Sequence, residues 1–197
     1  MGQYYQIIIL AEKPSNDEEE PGNQQTEIIR LALNPHNYMQ GAKIMEHSYI
    51  GNDFVSLAEY MLSPLGMFYK SRLVWAGDYA NTEPATGQNL YHMKHAPQLL
   101  FSCSKDFRAT DYRYIVNHTK REFVDKQRCS ERYGDDYDGL IIHPLPLLVS
   151  EGNGLGGGDY FGTGNHNCGL WARDIISLER TRPLFEEGFT EFITKFK

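Results

Sequence analysis

The stretch "QYYQIIIL" (residues 3–10) hardly alternates between apolar and polar positions, yet it is rich in β-branched and aromatic residues. Such a run predicts a buried first strand. "AEKPSNDEEEPGNQQ" follows, acidic and bracketed by Pro14 and the Pro21-Gly22 pair, and predicts an exposed acidic loop over residues 11–25. "TEIIRLAL" returns as a second strand, broken at Pro35-His36. The period then changes. Phe54, Leu57, Ala58 and Met61 fall three and four apart, with Ile50 one turn earlier, as on one helical face. Gly51-Asn52-Asp53 interrupts the run, with Asn52 or Asp53 a natural N-cap, and Ser63-Pro64 ends it. Two helical pieces are expected, about 42–48 and 53–62.

Beyond them "RLVWAG" predicts a third strand and "GDYANTEPATG" a turn-rich loop. "YRYIVNHTKREFVDK" reads as a hairpin turning at Asn117-His118-Thr119-Lys120. "GLIIHPLPLLVS" is apolar, but Pro144 and Pro146 exclude a regular central strand. "GLWARDIISLE" predicts a strand, and "RPLFEEGFTEFITKFK" a terminal helix weakened by Gly188. Strands outnumber helices, without a βαβ rhythm. The pattern predicts an α+β fold: one domain over 1–197, a mostly antiparallel sheet, one helical layer and a long Gly-rich loop over 151–169.

Composition narrows the function classes. The 197 residues carry a net charge of −7, which argues against nonspecific nucleic-acid binding. Residues 104–133 run the other way, with Lys105, Arg108, Arg113, Lys120, Arg121, Lys126, Arg128 and Arg132 against five acids. That segment could meet an acidic protein partner. Three cysteines, Cys103, Cys129 and Cys168, form no disulfide framework, which favours a reducing, cytoplasmic setting. The start lacks a basic n-region, and no apolar run approaches the roughly 20 residues of a membrane span. No membrane partner is expected.

The densest chemistry lies in "SEGNGLGGGDYFGTGNHNCGLWARD". Eight of the chain's 18 glycines fall between Gly152 and Gly169. Each glycine costs backbone entropy on ordering, so the cluster needs a compensating reason. Gly152-Asn153-Gly154-Leu155-Gly156-Gly157 formally fits GxGxxG, but prolines precede it and no helix signal follows, so a dinucleotide fold is excluded. No Gly-Lys-Ser/Thr occurs, and the carboxylates are too few for a calcium loop. Consecutive glycines can still point several N–H groups into one concavity that suits an anion. The tripeptide Gly-Asp-Tyr occurs at Gly77-Asp78-Tyr79 and again at Gly158-Asp159-Tyr160, and two such turns could clamp a polar ring. The expected ligand-binding set is Gly77, Asp78, Tyr79, Gly154, Gly156, Gly157, Gly158, Asp159, Tyr160, Trp171 and Arg173.

Among the histidines, His36 and His143 could each serve as a general base if a carboxylate orients it. His166-x-Cys168 and His92-x-x-His95 do not complete a four-ligand set, so no metal site and no cofactor are expected.

The islands "MGQYY", "NPH", "GAKIMEH", "WAGDYA", "GNGLGGGD" and "GLWARDIIS" together resemble a loose set of small bacterial and phage proteins that begin MGQYY or MGQYW and carry GGGD and GDYA motifs. The resemblance touches most of the chain through short islands. It implies one site-bearing domain, marked at Pro35, His36, Lys43, Glu46, Gly77, Asp78, Tyr79, Gly156, Gly157, Gly158, Asp159, Trp171 and Asp174, and it carries no activity with it. Three readings stand. The first is a domain binding a small polar or phosphorylated, nucleotide-like ligand through the Gly-rich loop, with phage-related sequestration of a signalling nucleotide as one version. The second is a hydrolase using Asp159 or Asp174 with His36 or His143. The third is an interaction or inhibitor module working through residues 104–133.

Overall fold

A computed structural model describes residues 2–11, 29–93, 100–129, 139–153, 158–161 and 165–193. Most of the expected acidic loop, residues 12–25, lies outside these, as do His95, Arg132, Gly154, Gly156 and Gly157. Strand β1 (Tyr5–Leu10) is buried along its whole length. Its register explains the missing alternation. Ile7 and Ile9 face one hydrophobic layer, and Ile8 and Leu10 face a second on the opposite side. Antiparallel partners flank it: β2 (Ile29–Leu33) on one edge and β3 (Ser71–Gly77) on the other.

Seven strands run in the order β2-β1-β3-β7-β4-β5-β8, with β4 Tyr114–Asn117, β5 Glu122–Asp125, β7 Ile175–Glu179 and β8 Thr190–Glu191; the eighth, β6 (Ser150–Glu151), pairs with β3. The pairing is antiparallel except for β3 with β6 and β5 with β8, and the fold is of the α+β class.

Helices α1 (Ile44–His47), α2 (Asp53–Leu62) and α3 (Pro144–Leu148) contribute to the larger core, with Leu73 and Trp75 of β3 and Ile176 and Leu178 of β7. Helix α2 begins where its sequence says it should. The Asn52 side chain accepts from the N–H groups of Phe54 at 2.9 Å and Val55 at 3.1 Å, satisfying two orphan donors of the first turn. Its buried face is wider than the 3.6 period implies, because Glu59 is buried along with Phe54, Leu57 and Met61. In "IIHPLPLLVS" the prolines open α3, where a missing N–H costs nothing, and His143 Nδ1 caps it by accepting from Leu145 N at 3.2 Å.

Two expectations fail. Residues 182–193 are not helical. Phe185–Glu187 makes a single 3-10 turn, Gly188 ends it with φ 81°, and β8 then pairs with β5. The strand expected from Gly169 starts only at Ile175. Gly169 (φ 76°) and Arg173 (φ 64°) are in the left-handed region, so the intervening chain turns instead of extending. Among the described residues no helix is long and apolar enough to cross a membrane.

Candidate functional site

The second edge of β3 is shared. At one end Trp75 and Ala76 pair with Ser150 and Glu151 of β6; at the other Ser71 and Arg72 pair with Ile176 and Ile175 of β7. The sheet therefore forks between residues 72 and 75. The chain leaves one branch at Glu151 and comes back to the other at Asp174, whose carbonyl accepts from Leu73 N at 3.1 Å. A cleft of about 580 Å³ opens beside this fork. Residues 80–84 form one wall and residues 150–152 another, while Gly169, Leu170, Ala172 and Arg173 close the third side. Ala80, at the end of the Gly77-Asp78-Tyr79-Ala80 turn, and both ends of the glycine loop thus line one concavity, while Gly77, Asp78, Tyr79, Gly158, Asp159 and Tyr160 are not among its lining residues.

Arg173 is the cleft's one cation among its lining residues, and it is held from two sides. Its Nε and Nη2 donate to the two oxygens of Glu151 at 2.5 and 2.7 Å. Its Nη1 donates to Glu83 Oε2 at 3.1 Å, and Nη2 also donates to Glu83 Oε1. Burial alone would lower the Arg173 pKa, but the two carboxylates outweigh it and hold the guanidinium above its ordinary value. Arg173 N donates to Leu73 O at 2.8 Å, which fixes the left-handed backbone at this residue. Strain of this kind in a non-glycine residue collects at functional sites.

The described glycines of the loop answer to the opening motif. Gly152 packs so tightly on β1 that a Cβ there would sit 2.6 Å from both amide atoms of Gln3 and from the Tyr5 hydroxyl. At Gly158 (φ 59°) the same addition would meet the Tyr5 ring at 2.8 Å, and at Gly77 it would collide with Gln3 Nε2. Gln3 Oε1 accepts from the Tyr5 hydroxyl at 2.9 Å and from Asn153 N at 3.2 Å. Its Nε2 is buried with no hydrogen-bond partner among the described residues. Close approach to Gln3 and Tyr5 is the physical reason for these three glycines. Gly154, Gly156 and Gly157 lie outside the described residues, and with them the anion-nest reading.

The two Gly-Asp-Tyr turns do different work. Tyr79 is half-exposed beside the cleft, whereas Tyr160 is buried. Asp159 accepts from Met45 N at 3.2 Å, tying the loop to α1, and burial pushes its carboxyl up. Trp171 is fully buried and donates through Nε1 to Glu122 at 2.8 Å, so its ring is a core side chain and not a platform for a ligand.

The four catalytic candidates are engaged separately. His143 is buried, and with Nδ1 accepting from Leu145 N its proton sits on Nε2, 3.0 Å from Glu59 Oε1. Glu59 also receives Lys126 Nζ. Burial would raise the Glu59 pKa, but His143 and Lys126 outweigh it and hold the carboxyl below its usual range. Asp174 accepts from Asn117 Nδ2 at 2.8 Å and faces Lys120 at 3.5 Å, locking the return turn to the β4–β5 hairpin. Asp159 is spent on α1. His36 is exposed in a 3-10 turn (Pro35–Tyr38), its N–H donating to Asn34.

Four of the eight basic residues of segment 104–133 are occupied too. Arg113 grips Asp125 at 2.7 and 2.5 Å, Lys126 is on Glu59, Arg128 on Glu191, and Lys120 on Asp174 and the Leu170 carbonyl. Glu83 and Gln3 were not among the residues expected at the site. Glu83 sits in a turn-rich stretch where a glutamate reads as solvated, and its partner lies 90 residues away. The one signal for Gln3 is that "MGQYY" and the glycine loop belong to the same set of islands. Among the described residues no three His, Cys, Asp or Glu side chains could hold a metal ion. No family model matches this chain, and neither a curated protein nor a solved structure matches it.

Proposed function

We propose that the chain is a binding domain whose cleft, between residues 80–84 and the ends of the glycine loop, takes a small polar ligand, uncharged or cationic and not phosphorylated. The Glu83–Arg173–Glu151 arrangement carries this reading. Two carboxylates against one guanidinium leave the lining at a formal −1, and both carboxylates already occupy the fork of the arginine. A phosphate entering here would face carboxylates, with no further cation among the described lining residues to receive it. Each carboxylate oxygen retains lone pairs beyond those used by Arg173, and these suit hydroxyl or ammonium donors. The nucleotide version of the binding reading therefore loses ground to a nucleoside, sugar or amine.

Thermal unfolding against matched pairs of ligands, each with and without its phosphate, tests the proposal. An unphosphorylated ligand at about 100 times its dissociation constant stabilises the native state by about 2.7 kcal/mol. Thr82→Trp, at an exposed wall position, fills the cleft and removes that shift while the unliganded protein keeps its unfolding temperature. Stabilisation by the phosphorylated members alone would overturn the charge argument.

A further inference from the structure

At the rim of the cleft, where β1 begins and β3 ends, stands a group of side chains that the cleft itself does not use. The pleat puts Tyr4 and Gln6 on the sheet face of Ile8 and Leu10. Tyr4 and Asp78 hold each other twice. Tyr4 N donates to Asp78 Oδ1 at 3.0 Å, and Asp78 N donates to Tyr4 O at 2.9 Å. Tyr91 is brought to the same face because Gln6 Nε2 donates to its carbonyl at 2.8 Å and its ring packs on the second core. One buried amide fixes the arrangement. Asn89 Nδ2 donates to the carbonyls of Asp78 at 2.9 Å and Ala80 at 3.1 Å, so the turn that walls the cleft and the segment carrying Tyr91 move together.

Tyr4 is 48% exposed, and Asp78 and Tyr91 are partly so. The hydrogen bonds of Tyr4 with Asp78 and of Gln6 with the Tyr91 carbonyl bring the three residues together, and burial, then Asp78 and Tyr4, hold the Tyr91 phenol above its usual value. Asp78 has no ion-pair partner among the described residues, since Lys43, across the ladder from Tyr4, lies against Gly2. Two phenol rings with negative faces beside a carboxylate that has no ion pair among the described residues make a place for an organic cation.

We propose that this rim binds a methylated ammonium group carried by the cleft's ligand, with Tyr4 and Tyr91 against the methyls and Asp78 balancing the charge. It rests on the cleft reading in that rim and cleft share the turn at residues 78–84.

Choline and its uncharged isostere 3,3-dimethylbutan-1-ol are the probes, titrated into the full chain and followed by amide NMR shifts. The rim binds choline about tenfold or more tightly than the isostere. Tyr4→Ala and Asp78→Asn each weaken choline about tenfold, and asparagine keeps the acceptor for Tyr4 N, so the turn is retained. Thr82→Trp blocks the cleft and leaves choline in place. Equal affinity for the two probes, unchanged binding in both rim variants, or no choline binding at millimolar concentration each overturns the proposal without touching the cleft. Choline bound as described, with cleft ligands indifferent to Thr82→Trp, would remove the cleft reading and leave the rim.

Discussion

Two of the glutamate-centred charge clusters in this molecule are built to opposite ends. In the core, buried Glu59 of α2 meets buried His143 and the mostly buried Lys126, which also donates to the Ala109 carbonyl, and these bonds hold α2, α3 and the end of β5 together. In the cleft, Glu83 and Glu151 grip Arg173 at the meeting of two loops, beside open space. Burial makes the first cluster a structural element, because removing the Glu59 charge leaves the Lys126 ammonium with only the Ala109 carbonyl. The second borders the open cleft, with Glu151 partly exposed although Glu83 is buried, and can exchange partners. Chemistry at a site needs that second condition, which is why the cleft, and not the buried histidine and glutamate, is the candidate.

The contrast breaks most visibly by substitution. Glu59→Gln strands Lys126 in the core and is expected to cost about 3–5 kcal/mol in urea unfolding. A loss near that of an exposed pair would show that the core cluster is solvated after all.

His47 sharpens the same point through pH. Its Nε2 accepts from Trp75 Nε1 at 2.9 Å, so the proton sits on Nδ1, toward the Gly41 carbonyl at 2.9 Å. Burial pushes its pKa down to about 4, so the folded ring stays neutral where the unfolded one is protonated. The unfolded chain then binds the extra proton between about pH 6.5 and 4, and stability falls as pH falls through that window. The loss attributable to His47 is about 3 kcal/mol between pH 7 and 4. His47→Gln should flatten that part of the profile, and an unchanged slope would mean the ring is reached by water.

Smaller effects come from the loop and the cleft. Gly152→Ala must push Gln3 and Tyr5 aside and is expected to cost about 1–3 kcal/mol. A neutral result would mean that the loop stands away from β1. Glu83→Gln is expected to cost about 1–2 kcal/mol, less than Glu59→Gln, because Glu83 is buried but Arg173 keeps Glu151. A loss as large as that of Glu59→Gln would erase the distinction between the clusters.

Much of the frame was legible because it is local. Asn52 announced the start of α2, the lack of alternation in β1 announced a buried strand, and paired prolines ruled a central strand out of "IIHPLP". The terminal helix misled because Phe185, Phe189 and Phe192 recur at helical spacing. Gly188 takes a left-handed conformation, though, and Phe192 N bonds to Phe123 O of β5, so the rings pack as an edge segment instead. The sequence suggested one site for the two turns, but neither Gly-Asp-Tyr lines the cleft, and their division of labour was not visible. Nothing in Gly-Asp-Tyr says which tyrosine the fold will bury. Glu59 was unreadable for a plainer reason. On the helix it looks like one polar position, and its partners lie 67 and 84 residues away.

Amide NMR of the full chain, titrated with a mixed panel of nucleosides, monosaccharides and amines and then with their phosphorylated counterparts, tests the central claim most directly. The cleft reading predicts shifts confined to residues 80–83, 151–152 and 169–173, larger for the unphosphorylated members. Shifts centred on residues 104–129, or a response to phosphorylated ligands alone, would contradict it.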